Sequence, residues 1–453
     1  MPRSTPKSSR GGRSVTRGLA ASNRRLHLLS IPLELREHVY RYLVNEEESE
    51  NLLNLLEVNH QLLREAKPFL FKRRLVFHGQ HDLFSWLRRV DREFLRHVAE
   101  VSFQLHDIKP DEIVGALGKR LRQAERSSAS SPAEDNPYHD ACDHEVHRIA
   151  EAFSLMPNVK NFSIIPCTES DPRPSYRMLS TFSRMLACCF PNLRTLRNKE
   201  SALPINIITN KPKLRHLQIP SRTPSSSAEV AACFAALSIT SLAVYGAPEP
   251  IIGHVPHRDV VAEMLRVVRP LDELTLFESD VKYLPQDVAH DALVKSPDAI
   301  GKHLQSLKTL KILVEYNAEI PRASATLSQL QKFLRSSGIN RLEMAEPLIF
   351  TLDHRLPPSI ETFCIRLDRP SSPETELSER VENLVDQFEI LTNELKRPGG
   401  ARLSNLKDVV IVLQDHEDED EIEDLEELQQ ARDLFKGTGI RLKVLTGDPD
   451  HSL

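Results

Sequence analysis

The chain has 453 residues, of which 40% are hydrophobic and 27% charged, and its formal net charge at pH 7 is -5. This composition is too apolar for a mainly disordered chain, and the length indicates either several domains or one long repeat array. The six cysteines form neither a CxxC pair nor the even framework of small secreted domains, so we expect reduced thiols in a cytoplasmic or nuclear protein.

Residues 1–27 are basic, with seven Arg or Lys and no acid among Ser, Pro and Gly. This stretch cannot bury enough apolar area to fold, so we expect a disordered tail. A nuclear-import signal, a nucleic-acid-binding arm and an Arg-rich transit peptide stay open as alternatives to a solvated tail. The apolar segment of a secretory signal peptide is missing, so we expect no secretion.

A helical module is predicted for residues 28–72. Pro32 suits a first helical turn. The first helix carries apolar residues four positions apart, namely Leu35, Val39 and Leu43. After the acidic loop NEEESE, the stretch NLLNLLEVNHQLLREAKPFLF predicts two more short helices, and we expect Pro68 to end the last one. Three such helices have too small a core to be stable alone.

A family resemblance lies in the same stretch. The segments that carry it are Ile31-Pro32-x-Glu34-Leu35, Arg36-Glu37-x-Val39-Tyr40, Leu43, Leu55-Leu56-x-Val58-Asn59 and Arg64-Glu65-Ala66. Together they make residues 29–71 resemble the F-box-like domain at the start of many fungal proteins. The tryptophan common in the third helix of F-boxes is absent.

The resemblance implies that this module docks onto the Skp-family adaptor of a cullin-RING ubiquitin ligase. It also implies which residues make the contact, because they match the apolar opening and faces of the family motif. These are Ile31, Pro32, Leu33, Leu35, Val39, Leu43 and Leu56.

The rest of the chain contains an internal repeat of the form apolar-x-x-apolar-x-apolar. Full copies are Val159-x-x-Phe162-x-Ile164, Leu214-x-x-Leu217-x-Ile219, Leu271-x-x-Leu274-x-Leu276, Leu307-x-x-Leu310-x-Ile312, Ile339-x-x-Leu342-x-Met344, Ile360-x-x-Phe363-x-Ile365 and Leu406-x-x-Val409-x-Ile411. Weaker copies begin at Val98, Leu193 and Ile239, and Leu442-x-Val444 is a partial one. Several copies follow a helix-stopping proline, as in MPNVKNF and FPNLRTL.

Amphipathic helical stretches separate these copies. They are His144 to Met156, Tyr176 to Phe190, Asp259 to Val268, Ala325 to Leu334 and Glu374 to Leu395. The alternation of helix, turn and strand predicts an α/β fold with parallel strands and outer helices, and it resembles an irregular leucine-rich-repeat solenoid over residues 73–448, with a tail at 449–453. Only neighbouring repeats cover each apolar strand face, so ladder residues such as Leu217, Leu274 and Leu310 should matter for stability.

Two stretches within the array interrupt this pattern. Residues 126–140 are polar and turn-rich, which predicts a mobile loop after the first strand, with Ser131-Pro132 as a candidate phosphorylation site. The charge-free run Val230 to Ala247 is diluted by Ala, Ser, Thr and Gly, so we expect a helix ending near Ala236 and a strand around Leu242 rather than a membrane span.

The densest group of potential metal ligands runs from His139 to His147 (HDACDHEVH). A second ligand pair at standard spacing is missing, and N-capping of the following helix by Asp143 accounts for much of the cluster. We therefore expect no metal, and an enzyme using a zinc ion here stays open as an alternative.

Other candidate sites have ordinary explanations. The acidic run Asp415 to Asp424 suits a solvated turn before the helix Leu425 to Phe435, with a basic partner or a cation as alternatives. The pair Cys188-Cys189 indicates the buried end of a helix, with redox activity as the alternative. The 18 histidines lie in solvent-like contexts, and no P-loop, GxGxxG, GxSxG or HExxH pattern occurs.

These observations predict a non-enzymatic substrate-recognition adaptor without a cofactor. Its F-box-like module would bind a Skp-family adaptor, and its repeat array would bind a protein target that the sequence does not name. We expect neither a membrane nor a nucleic acid as partner. The alternative is a protein-protein interaction scaffold that keeps the helices as an N-terminal cap for the repeats and has no ubiquitin-ligase role.

Overall fold

The computed structural model describes twelve stretches of the chain. They are 31–45, 60–108, 137–167, 173–198, 203–246, 258–278, 297–314, 324–346, 356–367, 377–396, 403–413 and 426–446. The predicted second helix, the contact residue Leu56, the Ser-Pro pair and the acidic run lie outside them. The chain divides into two compact units, Met1–Leu70 and Phe71–Leu453.

The first unit contains helices α1 (Leu33–Asn45) and α2 (His60–Leu70) among its described residues. Helix α1 begins directly after Pro32, whose carbonyl oxygen accepts a hydrogen bond of 3.1 Å from the backbone N–H of Arg36. The expectation that Pro68 ends α2 is wrong, because the helix continues to its last residue, Leu70. Proline removes one backbone hydrogen bond, and so close to the end of a helix that loss is small.

The second unit is built on strands that alternate with helices. In chain order the strands are β1 (Arg74–Phe77), β2 (Glu100–Gln104), β3 (Asn161–Ile165), β4 (Thr195–Asn198), β5 (His216–Pro220), β6 (Arg222–Thr223), β7 (Ser241–Tyr245), β8 (Arg258–Asp259), β9 (Glu273–Glu278), β10 (Thr309–Val314), β11 (Arg341–Ala345), β12 (Thr362–Leu367), β13 (Asp408–Leu413) and β14 (Arg441–Thr446). All except β6 and β8 form one parallel sheet whose strand order follows the chain, and those two form a short antiparallel pair.

The helices of this unit lie between the strands in sequence. They are α3 (Gln80–Leu87), α4 (Arg92–Leu95), α5 (Pro137–Ser154), α6 (Tyr176–Cys188), α7 (Ser227–Ala235), α8 (Val261–Val267), α9 (Pro297–Gly301), α10 (Ser324–Ser336), α11 (Leu377–Lys396) and α12 (Glu426–Phe435). Each predicted amphipathic stretch therefore contains a helix, although Asp259 belongs to β8 and residues 374–376 lie outside the described part. The result is an α/β fold with a solenoid-like repeat.

The sequence repeat sets the register of the sheet. Phe162 of β3 lies beside Val101 of β2 and Leu196 of β4, and each is the middle apolar residue of its copy. Every predicted copy contributes a strand, including the weaker copies at Val98, Leu193, Ile239 and Leu442. Strand β1 was not predicted, because Lys72 stands where the first apolar residue of a copy would be.

One face of the sheet packs against the helices, and we call it the core face. It carries the middle and last apolar residues of each copy, since alternate strand residues point to opposite faces. The ring of Phe103 on β2 lies 5.4 Å from that of Phe153 on α5 and 5.9 Å from that of Phe182 on α6, measured between centroids. These side chains are fully buried, so packing of aromatic rings holds the helices on the sheet.

A backbone ladder joins successive repeats where the strands begin. The carbonyl oxygen of Lys160 accepts hydrogen bonds from the N–H groups of Arg194 and Thr195, and the carbonyl of Arg194 does the same for Arg215 and His216. This two-donor pattern recurs from Ala99 to Glu361, so nine carbonyl groups at equivalent positions are satisfied by the next repeat, and the carbonyl of Lys407 accepts from Arg441.

Side chains reinforce this ladder in the turn before the strand. Asn192 donates to the carbonyl oxygen of Pro157 at 3.2 Å, and Asn405 donates to that of Pro358 at the same distance. Asn158 makes the equivalent bond to Arg96, at 2.8 Å. Each of these asparagines directly precedes the first apolar residue of its copy, so one residue type performs one task in three repeats.

Helix α5 begins earlier than expected. Its first residue is Pro137, so the last four residues of the predicted loop at 126–140 are helical, while residues 126–136 lie outside the described part. Asp143 therefore stands inside the helix, and the expectation that it forms the N-cap is wrong. Its carboxylate instead accepts hydrogen bonds from Arg177 and Thr181 of α6, at 2.6 and 3.2 Å.

The described part of the run, residues 230–246, folds as the sequence predicted. Helix α7 ends at Ala235, and strand β7 contains Leu242. The helix begins with a reciprocal pair of bonds between Ser226 and Glu229, a capping box that uses two backbone N–H groups of its first turn. Within the described stretches, no helix has both the length and the apolar character that crossing a membrane requires.

Candidate functional site

A two-point ion pair joins the helices of the first unit. The guanidinium of Arg36 on α1 donates from Nε to Glu65 Oε2 at 2.7 Å and from Nη2 to Oε1 at 2.8 Å. A third guanidinium nitrogen, Nη1, donates to the backbone oxygen of Ile31 at 2.6 Å. Arg36 and Glu65 belong to the motif segments 36–40 and 64–66. Their pairing gives these two segments a structural role, because it joins α1 to α2.

Two neighbours strengthen this pair. Tyr40 donates its hydroxyl to Glu65 Oε2 at 2.9 Å, and Gln61 donates to Oε1 at the same distance. The hydrogen bonds from Arg36 are the main cause that lowers the pKa of Glu65 to about 2, while burial acts in the opposite direction. Burial and the nearby carboxylate raise the pKa of Tyr40 to about 12. The network is therefore ionised on Glu65 and neutral on Tyr40 near pH 7.

The core between α1 and α2 uses one side of α1. Tyr40, Leu62, Ala66 and Phe69 form its buried centre, and Leu43 packs against it. The rings of Tyr40 and Phe69 have centroids 5.7 Å apart. Since Arg36, Tyr40 and Leu43 are spaced by four and three residues, they share one side of the helix.

The adaptor-contact residues that the sequence predicted lie mostly away from this core. Pro32 is exposed, and Leu33 and Leu35 expose 44% and 53% of their surface. Ile31 and Val39 are half-buried. Leu43 belongs to the core side and is only partly accessible, which separates it from Leu35 and Val39, with which the sequence pattern had grouped it. The exposed residues Pro32, Leu33 and Leu35 are called the α1 apolar patch below.

The second unit presents a different kind of surface on the sheet face opposite the core face, which we call the polar face. Its first row consists of one polar residue from each strand of the sheet, each beside the next. The row is Arg74, Glu100, Asn161, Thr195, His216, Ser241, Glu273, Thr309, Arg341, Thr362, Asp408 and Arg441. All of them are half-buried or exposed, so this row is accessible to a partner.

A buried charge cluster occupies the next row of the polar face. Glu343 on β11 is fully buried, and cations from three strands surround it: Lys311 Nζ at 3.9 Å, Arg341 Nη2 at 3.8 Å and Arg366 Nη2 at 3.3 Å. Lys311 also lies 3.6 Å from Glu273. A buried carboxylate is tolerated only with such compensation, so the cluster ties β9 to β12 through charge.

Cys364 is next to Glu343 in the adjacent strand and is also fully buried. Burial raises the pKa of its thiol to about 11, and the three cations nearby only partly oppose that effect. The thiol is therefore protonated at neutral pH, which makes it a packing residue rather than a nucleophile.

The predicted metal-like residues do not converge. Asp143 binds α6, the Glu145 carboxylate accepts a bond of 2.6 Å from Arg148, and His147 lies 3.3 Å from Glu151. Cys142 is buried, and burial raises the pKa of its thiol. Among the described residues, no three His, Cys, Asp or Glu side chains are arranged to hold a metal ion.

Cys188 and Cys189 end α6 as predicted, but they are not buried: Cys188 is exposed and Cys189 is half-buried. The buried side chain at this end of α6 is instead that of Lys211. Its ammonium donates to the carbonyl oxygens of Ala187, at 3.0 Å, and Cys189. Burial lowers the pKa of Lys211 to about 8, and the carbonyl groups at the helix end hold the ammonium in place.

His303 contradicts the expectation that the histidines lie in solvent-like contexts, because it is fully buried. Its Nδ1 accepts a hydrogen bond of 3.1 Å from the backbone N–H of Leu271, and its Nε2 lies 3.0 Å from the carbonyl oxygen of Leu265. One ring nitrogen must accept and the other must donate, so the ring is neutral with its hydrogen on Nε2. Sequence patterns missed it because its partners are backbone groups 32 and 38 residues away.

Comparisons with known proteins add no identification. Neither the models of known protein families nor the curated proteins match this chain.

Proposed function

We propose that this chain is a non-enzymatic substrate-recognition adaptor with irregular leucine-rich repeats. In this proposal the F-box-like module at residues 28–72 binds the Skp-family adaptor of a cullin-RING ubiquitin ligase, and the repeat array binds a protein target. The observation that carries the proposal is the α1 apolar patch, together with the motif residues to which it belongs.

Charge and packing support the patch as a docking surface. The Arg36–Glu65 pair and the Tyr40–Phe69 contact hold α1 against α2 from one side of the helix. Leu33 and Leu35 are not needed for that contact and stay exposed. Apolar side chains that a fold does not bury cost solvation free energy, and burial against a partner recovers roughly 0.7 to 1.5 kcal/mol for each of these half-exposed leucines. Ile31 and Val39 border the patch and would extend the contact.

The first row of the polar face supports the second half of the proposal. It places one polar, accessible side chain on each of the twelve parallel strands, so the row runs across the sheet. Neighbouring parallel strands are about 4.8 Å apart, so the row is a long, regularly spaced surface suited to a protein partner rather than to a small molecule.

Recovery of the Skp-family adaptor from cell extract tests the docking step. We expect the full-length chain to recover it, and the variant with Pro32→Ala and Leu35→Ala to lose it. The matched control is His38→Ala, an exposed α1 residue outside the patch, which should leave recovery unchanged. Equal recovery with all three proteins would refute docking through α1.

Target turnover separates the adaptor from a scaffold. If the chain acts in a ligase, proteins labelled by proximity to it should accumulate when the proteasome is inhibited, and the Pro32→Ala, Leu35→Ala variant should abolish that effect. Labelled proteins whose levels do not respond would support the scaffold, in which the helices only cap the array.

A further inference from the structure

A row of basic side chains crosses three consecutive repeats at the start of the strands. Lys160, Arg194 and Arg215 each follow the first apolar residue of their copies, and all three are exposed. Lys213, two residues before Arg215, is exposed as well. We call these four residues the basic edge.

The backbone ladder fixes the spacing of this edge. The N–H of Arg194 donates to the carbonyl oxygen of Lys160 at 2.7 Å, and the N–H of Arg215 donates to that of Arg194 at 2.8 Å. Backbones joined in this way lie about 4.8 Å apart, so the three cations form a short row across neighbouring repeats. Like charges at such a distance repel one another, and this arrangement costs stability.

No acid in the described part of the chain compensates the basic edge. Lys160, Arg194, Lys213 and Arg215 form no ion pair with a described carboxylate. Two of them are held by neutral groups: Lys213 donates to the Asn192 side-chain oxygen at 2.7 Å, and Arg215 donates to the Ser238 carbonyl at 2.8 Å. Lys213 and Arg215 are thus positioned by hydrogen bonds, and none of the four charges is neutralised by a described carboxylate.

Later repeats show a different arrangement at the same position. There Lys308 is paired with Asp272 at 2.9 Å, and Lys407 is paired with Glu361 at 2.7 Å. Each of these pairs joins adjacent rungs of the same ladder, because the backbone of Lys308 also donates to the carbonyl oxygen of Asp272. At this position a cation of one repeat can therefore pair with a carboxylate of the preceding repeat. The earlier repeats depart from this arrangement, because their three cations have no such carboxylate among the described residues.

We propose that the basic edge binds an acidic segment of the protein target. This inference rests on the proposed function, since it assigns target binding to one surface of the array. An extended peptide places the side chains of alternate residues about 6.6 to 6.8 Å apart on one side, which lets two or three carboxylates reach the row of cations. Electrostatic attraction of this kind favours fast association and selects acidic partners. The basic edge provides it locally, although the net charge of the whole chain is -5.

The chemistry of the turns favours a peptide over a nucleic acid. The residues around the cations are Pro157, Asn158, Pro191, Asn192 and Pro212. Single-stranded nucleic acids are held by aromatic side chains on which bases stack, in addition to cations. The turns 157–160, 191–194 and 212–215 contain no aromatic residue.

Fluorescence anisotropy with the full-length chain and a labelled Glu-rich peptide tests the inference. The decisive variant is Lys160→Glu with Arg194→Glu, and the matched control is Lys308→Glu with Lys407→Glu, which changes the net charge by the same amount. We expect the first variant to weaken peptide binding by roughly tenfold or more and the control by less than about threefold. Added salt should weaken the wild-type complex.

Three results would overturn the inference: no binding of the peptide to the wild-type chain, equal weakening by both variants, or tighter binding of a single-stranded oligonucleotide of equal charge. Folding is checked by thermal unfolding, in which the Lys160→Glu, Arg194→Glu variant should be at least as stable as the wild type, because its side chains are exposed and the repulsion between the cations is removed. Adaptor recovery should be unchanged in this variant. If the wild-type chain binds the peptide but does not recover the adaptor, the ligase role is refuted and the inference about the basic edge is not.

Discussion

Arg36 and Glu65 face each other across the two helices of the first unit, with two hydrogen bonds shorter than 3 Å between guanidinium and carboxylate. They lie 29 residues apart in the sequence. The pair fixes the side of α1 that turns inward, and thereby leaves the adjacent Leu35 on the outside.

The first prediction concerns the acid stability of this unit. The pKa of Glu65 is about 2 in the folded chain against an ordinary value of 4.5, so the unfolded chain takes up the proton first as the pH falls. The contribution of Glu65 to the stability of this unit is complete above pH 4.5 and is lost as the pH falls toward about 2. Hydrogen exchange of α1 peptides, corrected for intrinsic rates, should show this loss.

Variants of Glu65 and of Glu37 on α1 provide the comparison. Glu65→Gln should be less protected near neutral pH and should lack much of the acid-dependent change. Glu37→Gln removes only an exposed contact of 3.3 Å with Arg41, so it should behave as the wild type does. Identical acid profiles for Glu65→Gln and the wild type would contradict the assignment.

The second prediction concerns His303. Burial lowers its pKa from the ordinary 6.5, and the nearby Lys302 acts in the same direction. Protonation would also set a second N–H of the ring against the N–H of Leu271. The contribution of His303 is therefore complete above pH 6.5 and declines as the pH falls through that value toward the lower folded pKa.

Urea unfolding of the wild type and of His303→Gln measures this effect. The variant should be less stable at neutral pH by about 1 to 3 kcal/mol, because two buried backbone groups lose a well-placed partner. Its stability should change less between neutral pH and about pH 5, since glutamine does not titrate there. A variant that shows the full pH dependence of the wild type would assign that dependence to other groups.

The third prediction concerns the apolar ladder of the core face. Leu310 is buried on β10, between Leu274 and Leu342 of the adjacent strands. Leu310→Ala should reduce the free energy of unfolding by about 2 to 5 kcal/mol through lost burial and a residual cavity. Thr309→Ala, on the polar face of the same strand, should change it by less than about 0.5 kcal/mol. Comparable losses in urea unfolding would contradict the assignment of the two faces.

The fourth prediction concerns Gly79, which has φ of 126° at the start of α3. A β-carbon there would lie 2.9 Å from Nδ1 of His106. Gly79→Ala should therefore destabilise the chain by about 1 kcal/mol or more. Gly301→Ala, at the end of α9 with open space around it, should be neutral or stabilise by up to about 1 kcal/mol. Thermal unfolding of both variants provides the comparison.

The repeat made most of the second unit predictable. The spacing of Leu274 and Leu276, repeated in Leu310 and Ile312, is a local pattern, and it specified both the strands and their register. Strand β1 escaped because its copy lacks the first apolar residue. The start of α5 at Pro137 escaped because polar helix turns resemble loops in composition.

The candidate sites were less predictable, because their key contacts join residues far apart in the chain. Leu35 was identified by a family motif, yet only the Arg36–Glu65 pair explains why it is exposed. The buried position of Glu343 depends on cations from three different strands, and nothing in its own neighbourhood indicates it. The basic edge required the copies to be aligned before equivalent positions could be compared.

The backbone ladder also bears on how the chain acquires its structure. Each new strand of the parallel sheet pairs with the preceding strand of that sheet, so the sheet can lengthen during synthesis, while the rest of the polypeptide is still being made. The strands would then assemble into the sheet in the order in which the ribosome synthesises them. An error in one repeat should stall growth at that point and leave the earlier repeats intact.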